Sequence, residues 1–318
     1  MDRDSIDYLK SEALKGDKDA SFKVGMCYLH GDKVQQDFSE ANKWFVQSAH
    51  QGHDQAQFWL GDCYFHGKMV EQSYDEALRW FKLAVKNGNL DATYCLGSIY
   101  ANGNGVEKNA TLSVQYFQVA AHRGDLDSQY SLGYCYYHGE GVEKDYEEAK
   151  KWFGFAAEKG DPGSIFWLGH MYYTGEGEEK NLERAASFFH YAAVHGHPKA
   201  QVRLGVCFSN GEGVEVNHEK AAEFYRLAAE QDYEQGQYVL AMCYANGVGV
   251  DHDLRESFVW FLLAQRAFGN DDTFMRNFMM VENALNEEQK REAIKEASIR
   301  SSEIRAKSEL KNSGYQLY

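Results

Sequence analysis

The chain repeats itself every 36 residues. Gly16, Gly52, Gly88, Gly124, Gly160 and Gly196 stand at that spacing, and Asp232 takes the seventh place. Eight residues after each comes an apolar residue followed by a small one, from Val24-Gly25 and Leu60-Gly61 to Leu204-Gly205 and Leu240-Ala241. Three residues past the small one is always an aromatic (Tyr28, Tyr64, Tyr100, Tyr136, Tyr172, Phe208, Tyr244), and three beyond it always a glycine, from Gly31 to Gly247. A period of this length marks stacked supersecondary units, because one unit cannot bury its apolar stripes and needs its neighbours to do so.

Each unit reads as two helices. Asp17, Asn89, Asp125 and Asp161 can cap the first, Pro162 and Pro198 fall at its first position, and the glycine at position 16 of the unit, counted from Gly16 as position 1, ends it. Asp37, Ser73, Asn109, Asp145, Asn181, Asn217 and Asp253 announce the second helix, and Glu40, Glu76, Glu148 and Glu256 suggest capping boxes. Along it, Ala77, Phe81 and Ala84, or Ala149, Phe153 and Ala156, recur at i, i+4, i+7 as one apolar stripe, with Trp44, Trp80, Trp152 and Trp260 as a second ridge. The reading is all-α, with seven repeats at 16–51, 52–87, 88–123, 124–159, 160–195, 196–231 and 232–268. Residues 1–15, with Ile6, Leu9 and Leu14, form an N-terminal capping helix resembling the second helix of an incomplete unit. Residues 269–318 form a C-terminal cap and tail, in which Asn286 starts a mostly polar helix whose last residues fray.

Composition narrows the function classes. With 21 Tyr, 19 Phe and 6 Trp the chain is not disordered. Its formal charge of −15 opposes nucleic acid and anionic lipid surfaces and favours a basic or apolar protein partner. The repeats carry nearly all of that excess, since residues 270–318 hold 8 basic and 9 acidic side chains. The acidic start MDRDSIDYLK is no signal peptide, and no run of eighteen apolar residues follows, so a cytoplasmic protein without membrane insertion is expected.

The stretch SQYSLGYCYYHGEGVEKDYEEAKKWFGFAAEKG from Ser128 to Gly160 holds the pattern nearly whole and resembles the Sel-1-like repeat family, a tetratricopeptide-like group. The 36-residue period and the GxGV loop separate it from tetratricopeptide repeats proper. Departures are local: Asp32-Lys33 and Lys68-Met69 replace the glycine-rich loop in the first two units, and Glu178 replaces its valine. The resemblance implies a right-handed α/α superhelical solenoid whose first helices line a concave face. It further implies a non-enzymatic adaptor that holds a partner protein or peptide. A second reading is an immunity or regulatory protein that sequesters one toxin or enzyme. The third is a small-molecule, β-lactam-type binder or enzyme like the family's cysteine-rich subgroup.

Chemistry-bearing side chains fit the scaffold. Cys27, Cys63, Cys135, Cys207 and Cys243 share one repeat position, with Cys95 four residues earlier in its unit. Equivalent helices of successive units lie about 9 Å apart, beyond the reach of a disulfide, so buried free thiols are expected and β-lactam binding is not carried over. The same spacing keeps His30, His66 and His138 from sharing a metal, and no cofactor is expected. The GxGV loops join helix to helix and lack the GK[ST] ending of a phosphate cradle. No catalytic constellation stands out, so no small-molecule substrate is expected.

With the core at positions 5, 9, 12, 13 and 16, helical geometry turns positions 4, 7, 11, 14 and 15 away from it. Position 7 supplies Phe58, Tyr94, Tyr130 and Phe166; position 11 supplies Asp62, Tyr134 and His170; position 14 supplies Phe65, Tyr137 and Tyr173, next to His138. These form the candidate partner-binding groove, and amphipathic aromatics suit such a role. Position 7 is aromatic in six of seven units, which also fits packing between first helices. Trp59 and Trp167, at position 8 where other units have Lys23, Ser131 and Arg203, extend the patch.

Overall fold

A computed structural model describes residues 5–68 and 70–315, with side chains to residue 308. The described residues form 17 α-helices. In order they are α1 Ile6–Leu14, α2 Lys18–His30, α3 Phe38–His50, α4 Asp54–His66, α5 Tyr74–Lys86, α6 Leu90–Asn102, α7 Ala110–His122 and α8 Leu126–His138. There follow α9 Tyr146–Glu158, α10 Pro162–Thr174, α11 Leu182–Val194, α12 Pro198–Asn210, α13 His218–Ala229, α14 Glu234–Asn246, α15 Leu254–Phe268, α16 Asp272–Ala284 and α17 Glu287–Tyr315. The chain divides into two compact bodies, residues 1–155 and 156–318.

Local chemistry sets the helix ends. All seven second helices begin at the side chains the sequence marks: Asp37, Ser73, Asn109, Asp145, Asn181, Asn217 and Asp253 each accept a backbone N–H of their own first turn. The capping boxes do not form. The N–H that Glu40, Glu76, Glu148 or Glu256 would accept goes instead to the carbonyl of the position-13 aromatic, as in Asp37 to Tyr28 (2.9 Å) and Asp253 to Tyr244 (3.0 Å). That bond closes each hairpin and leaves the glutamate outside it. The position-16 glycines end the first helices in the left-handed region, for example Gly31 at φ 71° and Gly175 at φ 82°. Met69, where the second repeat departs from the glycine-rich loop, lies outside the described residues.

Within a repeat, the Phe of the second helix fills the gap that the glycine of the first leaves open. Phe45, Phe81, Phe153, Phe189 and Phe261 are essentially fully buried. A Cβ added at Gly61 or Gly97 would stand 2.5 Å from the Phe81 or Phe117 ring, so the glycine permits the helix–helix approach. Position 13, read from sequence as core, is only half-buried. Its rings instead stack on the second helix, as in Tyr100–Tyr116 and Phe208–Phe224, while the Tyr136 and Tyr244 hydroxyls accept from Gln118 and Arg226. The reason is geometric: position 12 points straight into the core, and its neighbour turns about 100° toward the helix flank.

In the first body, α1 packs Leu9 and Ala13 on the first repeat, whereas Leu14 is 78% exposed and does not join the core. The second body ends in one large cluster running from Val202 through Phe258, Trp260 and Phe274 to Ala293, Ala297 and Ile304. Here α17 lies on α15 and caps the last repeat. Asn286 starts it with a true capping box: its Oδ1 accepts from the Gln289 N–H (2.9 Å), and the Gln289 Oε1 accepts from the Asn286 N–H (3.0 Å). The fraying expected of the last residues concerns 316–318, outside the described residues.

Candidate functional site

The first helices present one face to their own second helices and another away from them, and the candidate groove residues divide between the two. Position 7 faces the core. Phe58, Tyr94 and Tyr130 place their rings 5.9, 5.8 and 6.1 Å from those of Phe81, Phe117 and Phe153. Phe166 lies 5.6 Å from Phe189 and stacks on His197 at 5.0 Å. At 7% exposure Phe166 is a core side chain, which corrects its placement in an open groove. The same holds for Tyr137, 6% exposed, whose ring meets Tyr146 edge-on at 5.3 Å. Both are buried because neighbouring rings cover them, Phe189 and His197 over Phe166 and Tyr146 over Tyr137.

Positions 8 and 11 are different. In the first body, Asp62 on α4 pairs with His66 (3.2 Å) and Lys68 (3.5 Å), and half-buried Trp59 lies 5.1 Å from Phe45. Phe65, at position 14, is half-buried between His66 and Tyr74. On α8, Tyr134 is half-buried with exposed His138 4.2 Å from its ring. Burial raises the Tyr134 hydroxyl above the ordinary phenol range, helped by the charge of Glu140. Carboxylates gather nearer the helix starts, where burial and the charge of Asp125 raise the Asp91 carboxyl.

In the second body, α10 carries half-buried Trp167, His170 and Tyr173. Trp167 and His170 meet edge-on at 5.3 Å. Tyr173 is flanked by two cations, the Arg203 guanidinium at 5.3 Å and the Lys180 ammonium at 5.9 Å, and its hydroxyl is raised by burial and then by Glu212. In the sequence Arg203 stands out only as one of the side chains that vary at position 8. The available signal was position 8 itself, which reads Lys, Trp, Cys, Ser, Trp, Arg and Val through the repeats while position 9 beneath it stays Val or Leu.

The cysteines are all free thiols, five of them buried at one position. Burial pushes Cys63, Cys95 and Cys135 up to about 12 and Cys207 and Cys243 to about 11, so none is an activated nucleophile. Among the described residues no three His, Cys, Asp or Glu side chains gather as a metal site requires, and no helix is long and apolar enough to cross a membrane.

Comparison with known proteins follows the same lines. The Sel1 repeat family matches residues 18–53, 54–89, 90–125, 126–161, 162–197, 198–233 and 235–264. A Sel1 repeat protein from Oxalobacter formigenes is 29% identical over 87% of this chain and 80% of its own, with a TM-score of 0.71. A protective antigen of uropathogenic Escherichia coli displaying an SLR fold is 28% identical over 95% and 80%, with a TM-score of 0.45. An immunity protein from Pseudomonas aeruginosa is 15% identical over 69% and 81%, with a TM-score of 0.44. No curated protein matches. Seven matched repeats, the paired-helix packing and the repeated Gly–Phe contact together establish that the chain belongs to the Sel1 repeat family.

Proposed function

We propose that this chain is a non-enzymatic scaffold that binds a partner protein or peptide along the outward face of its first helices. One observation carries the reading. Positions 8 and 11 hold side chains that differ from repeat to repeat and mostly stand half-exposed, among them Trp59, Tyr134, Trp167 and His170, while the core positions beneath repeat the same residue types. Packing alone does not call for such variety. Aromatic side chains with one face open are the usual anchors of protein interfaces, since they bury a large area with few rotatable bonds.

The test is capture from native lysate by the full chain and by a Tyr134→Ala/Trp167→Ala/His170→Ala variant, with folding followed by circular dichroism. A partner held by the wild type and lost by the folded variant supports the scaffold. Retention of every partner by that variant removes the face from consideration. Stoichiometry then separates the two kinds of binder: several partners of moderate affinity fit an adaptor, whereas one tight equimolar partner fits an immunity or regulatory protein.

A further inference from the structure

In the second body, α17 is held differently from α16. The latter meets α15 ring on ring, Phe258 with Phe278 at 5.2 Å and Phe261 with Phe274 at 5.5 Å. α17 lies on the same helix, yet it buries only Ala293, Ala297 and Ile304 among its apolar side chains and leaves Ile294 and Ile299 exposed. Two alanines and one isoleucine remove little apolar area from water. Ion pairs supply the remaining hold. Arg300 donates to both oxygens of Glu256 (2.5 and 3.3 Å), and Arg255 reaches Glu296 (3.6 Å) and Glu292 (3.9 Å). Along this seam opens a cleft of about 430 Å³ lined by Arg255, Lys295, Glu296 and Ile299.

The ring beneath Arg300 marks what α17 covers. Trp80 and Trp152, at the same repeat position in the first body, each meet a histidine of the preceding second helix, His50 at 5.2 Å and His122 at 5.0 Å. Before Trp260 that place holds Glu230, and the Arg300 guanidinium lies 4.7 Å from the ring instead. Trp260 is 3% exposed in this arrangement. α17 is also built to move as a unit. It is 29 residues long and rich in Glu, Lys, Arg and Ala, which favour a helix without outside support. Its capping box, Asn286 with Gln289, and its Glu287–Lys290 pair (3.0 Å) lie within α17 and travel with it. Leu285, buried in the cluster of α15 and α16, fixes the near side of a short connection.

We infer that α17 is a releasable strap, and that the face of α15 beneath it is a docking site taken in trans by α17 of a second copy. The chemistry of the site selects that occupant: Glu256 and the Trp260 ring require an arginine, set between small side chains on one side of a helix, as Ala293, Ala297 and Arg300 are. Each chain carries one site and one such helix. Two copies therefore exchange straps about a twofold axis, and the assembly closes at a dimer. The exchanged segment is nearly neutral, with 8 basic and 9 acidic side chains in residues 270–318. The net charge of −15 on each copy still opposes the encounter, so salt favours the exchange. The exchange is independent of the first-helix face.

The experiment uses full-length Glu256→Arg and Arg300→Glu chains, apart and mixed one to one, in about 500 mM KCl to screen the net charge. Each substitution sets like charges against each other and should lift α17, seen as faster amide exchange in α17 with α12 and α14 unchanged. The first chain keeps Arg300 and the second keeps Glu256, so an exchanged pair reunites them only in the mixture. Sedimentation velocity should show a mixed dimer there, associating about tenfold or more tightly than either chain alone. Glu256→Arg/Arg300→Glu in one chain restores opposite charges in cis and should sediment as the wild type does. Should a reversal disturb α14, Glu256→Gln and Arg300→Gln repeat the mixing, since together they still hold one intact fork. Lifted straps in a mixture that stays monomeric overturn the second copy as occupant. Equal association of mixture and single chains does the same, because the fork then plays no part. Wild-type protection of α17 in both single variants overturns the strap itself.

Discussion

The second glycine of each G-x-G loop shows how much one residue decides. Gly213 and Gly249 sit in the left-handed region at φ 74° and 73°, and a Cβ there would stand 2.1 and 1.9 Å from the Leu182 and His218 carbonyl oxygens of the preceding repeat. Gly213→Ala therefore combines backbone strain with a backbone clash, and a loss of about 2–4 kcal/mol in urea unfolding is expected. Lys33 occupies the equivalent place in the first repeat at φ 64°, so Lys33→Gly should gain about 0.5–1 kcal/mol. A second residue-scale device is His197, the N-cap of α12, whose Nδ1 accepts the Ala200 N–H (3.2 Å) while the ring stacks on Phe166. Burial first, then Lys199, lowers it from 6.5 to about 4. Between those values the unfolded chain binds the extra proton, so its contribution is complete above pH 6.5 and is lost as pH falls toward 4. His53 is lowered in the same direction by burial. Thermal melts of wild type and His197→Asn should diverge as pH drops from 7.5 to 4.5, the wild type losing more, by about 2–3 kcal/mol at the acid end. Parallel curves would show that His197 does not titrate in this range.

At the scale of the helices, the docking of α17 depends on Arg300. Its guanidinium lies 4.7 Å from the Trp260 ring, pairs with Glu296 (2.6 Å), and forks onto Glu256, which also accepts the Trp260 indole N–H (2.8 Å). Glu256 is largely buried, so Arg300→Ala leaves a carboxylate without its counter-charge. Amide exchange in α17 should accelerate as if docking had lost about 2–3 kcal/mol, with α14 unchanged, and Glu256→Gln in the same chain should restore part of it. The helices themselves were legible in the sequence because their signals are local: seven cap side chains, seven terminating glycines and one apolar period. Contacts between elements were less so. Gln57, Gln129, Gln201 and Gln237 look like solvated polar residues, yet each is buried and donates its Nε2 to a carbonyl in the last turn of the preceding helix, at 3.0–3.4 Å. Their recurrence at position 6 was visible, but its meaning needed the neighbouring helix. Phe166 and Tyr137 were misplaced for the related reason that helical angle says which way a side chain starts and not what already fills the space ahead.

For the molecule as a whole, charge sets a condition on stability. Fifteen excess negative charges repel one another in the compact state, and salt screens them. The melting temperature should therefore rise by a few degrees between about 10 mM and 500 mM KCl; a flat or falling curve would mean that ion pairs such as Arg300–Glu256 outweigh the repulsion. The binding face is a property at this scale too, which is why sequence located it only by position in the repeat: the scaffold declares where variable side chains stand, while partner choice depends on which of them combine. A last consequence belongs to the cap. Stacked repeats meet through two different surfaces, so the contact carries no built-in stop, and the trailing surface of one molecule could accept the leading surface of the next. By covering the last repeat with Ala293, Ala297 and Ile304, α17 closes that surface to a second copy. A chain shortened at residue 285 would uncover Trp260, on which Arg300 of α17 lies, and sedimentation velocity should show it self-associating as its concentration rises.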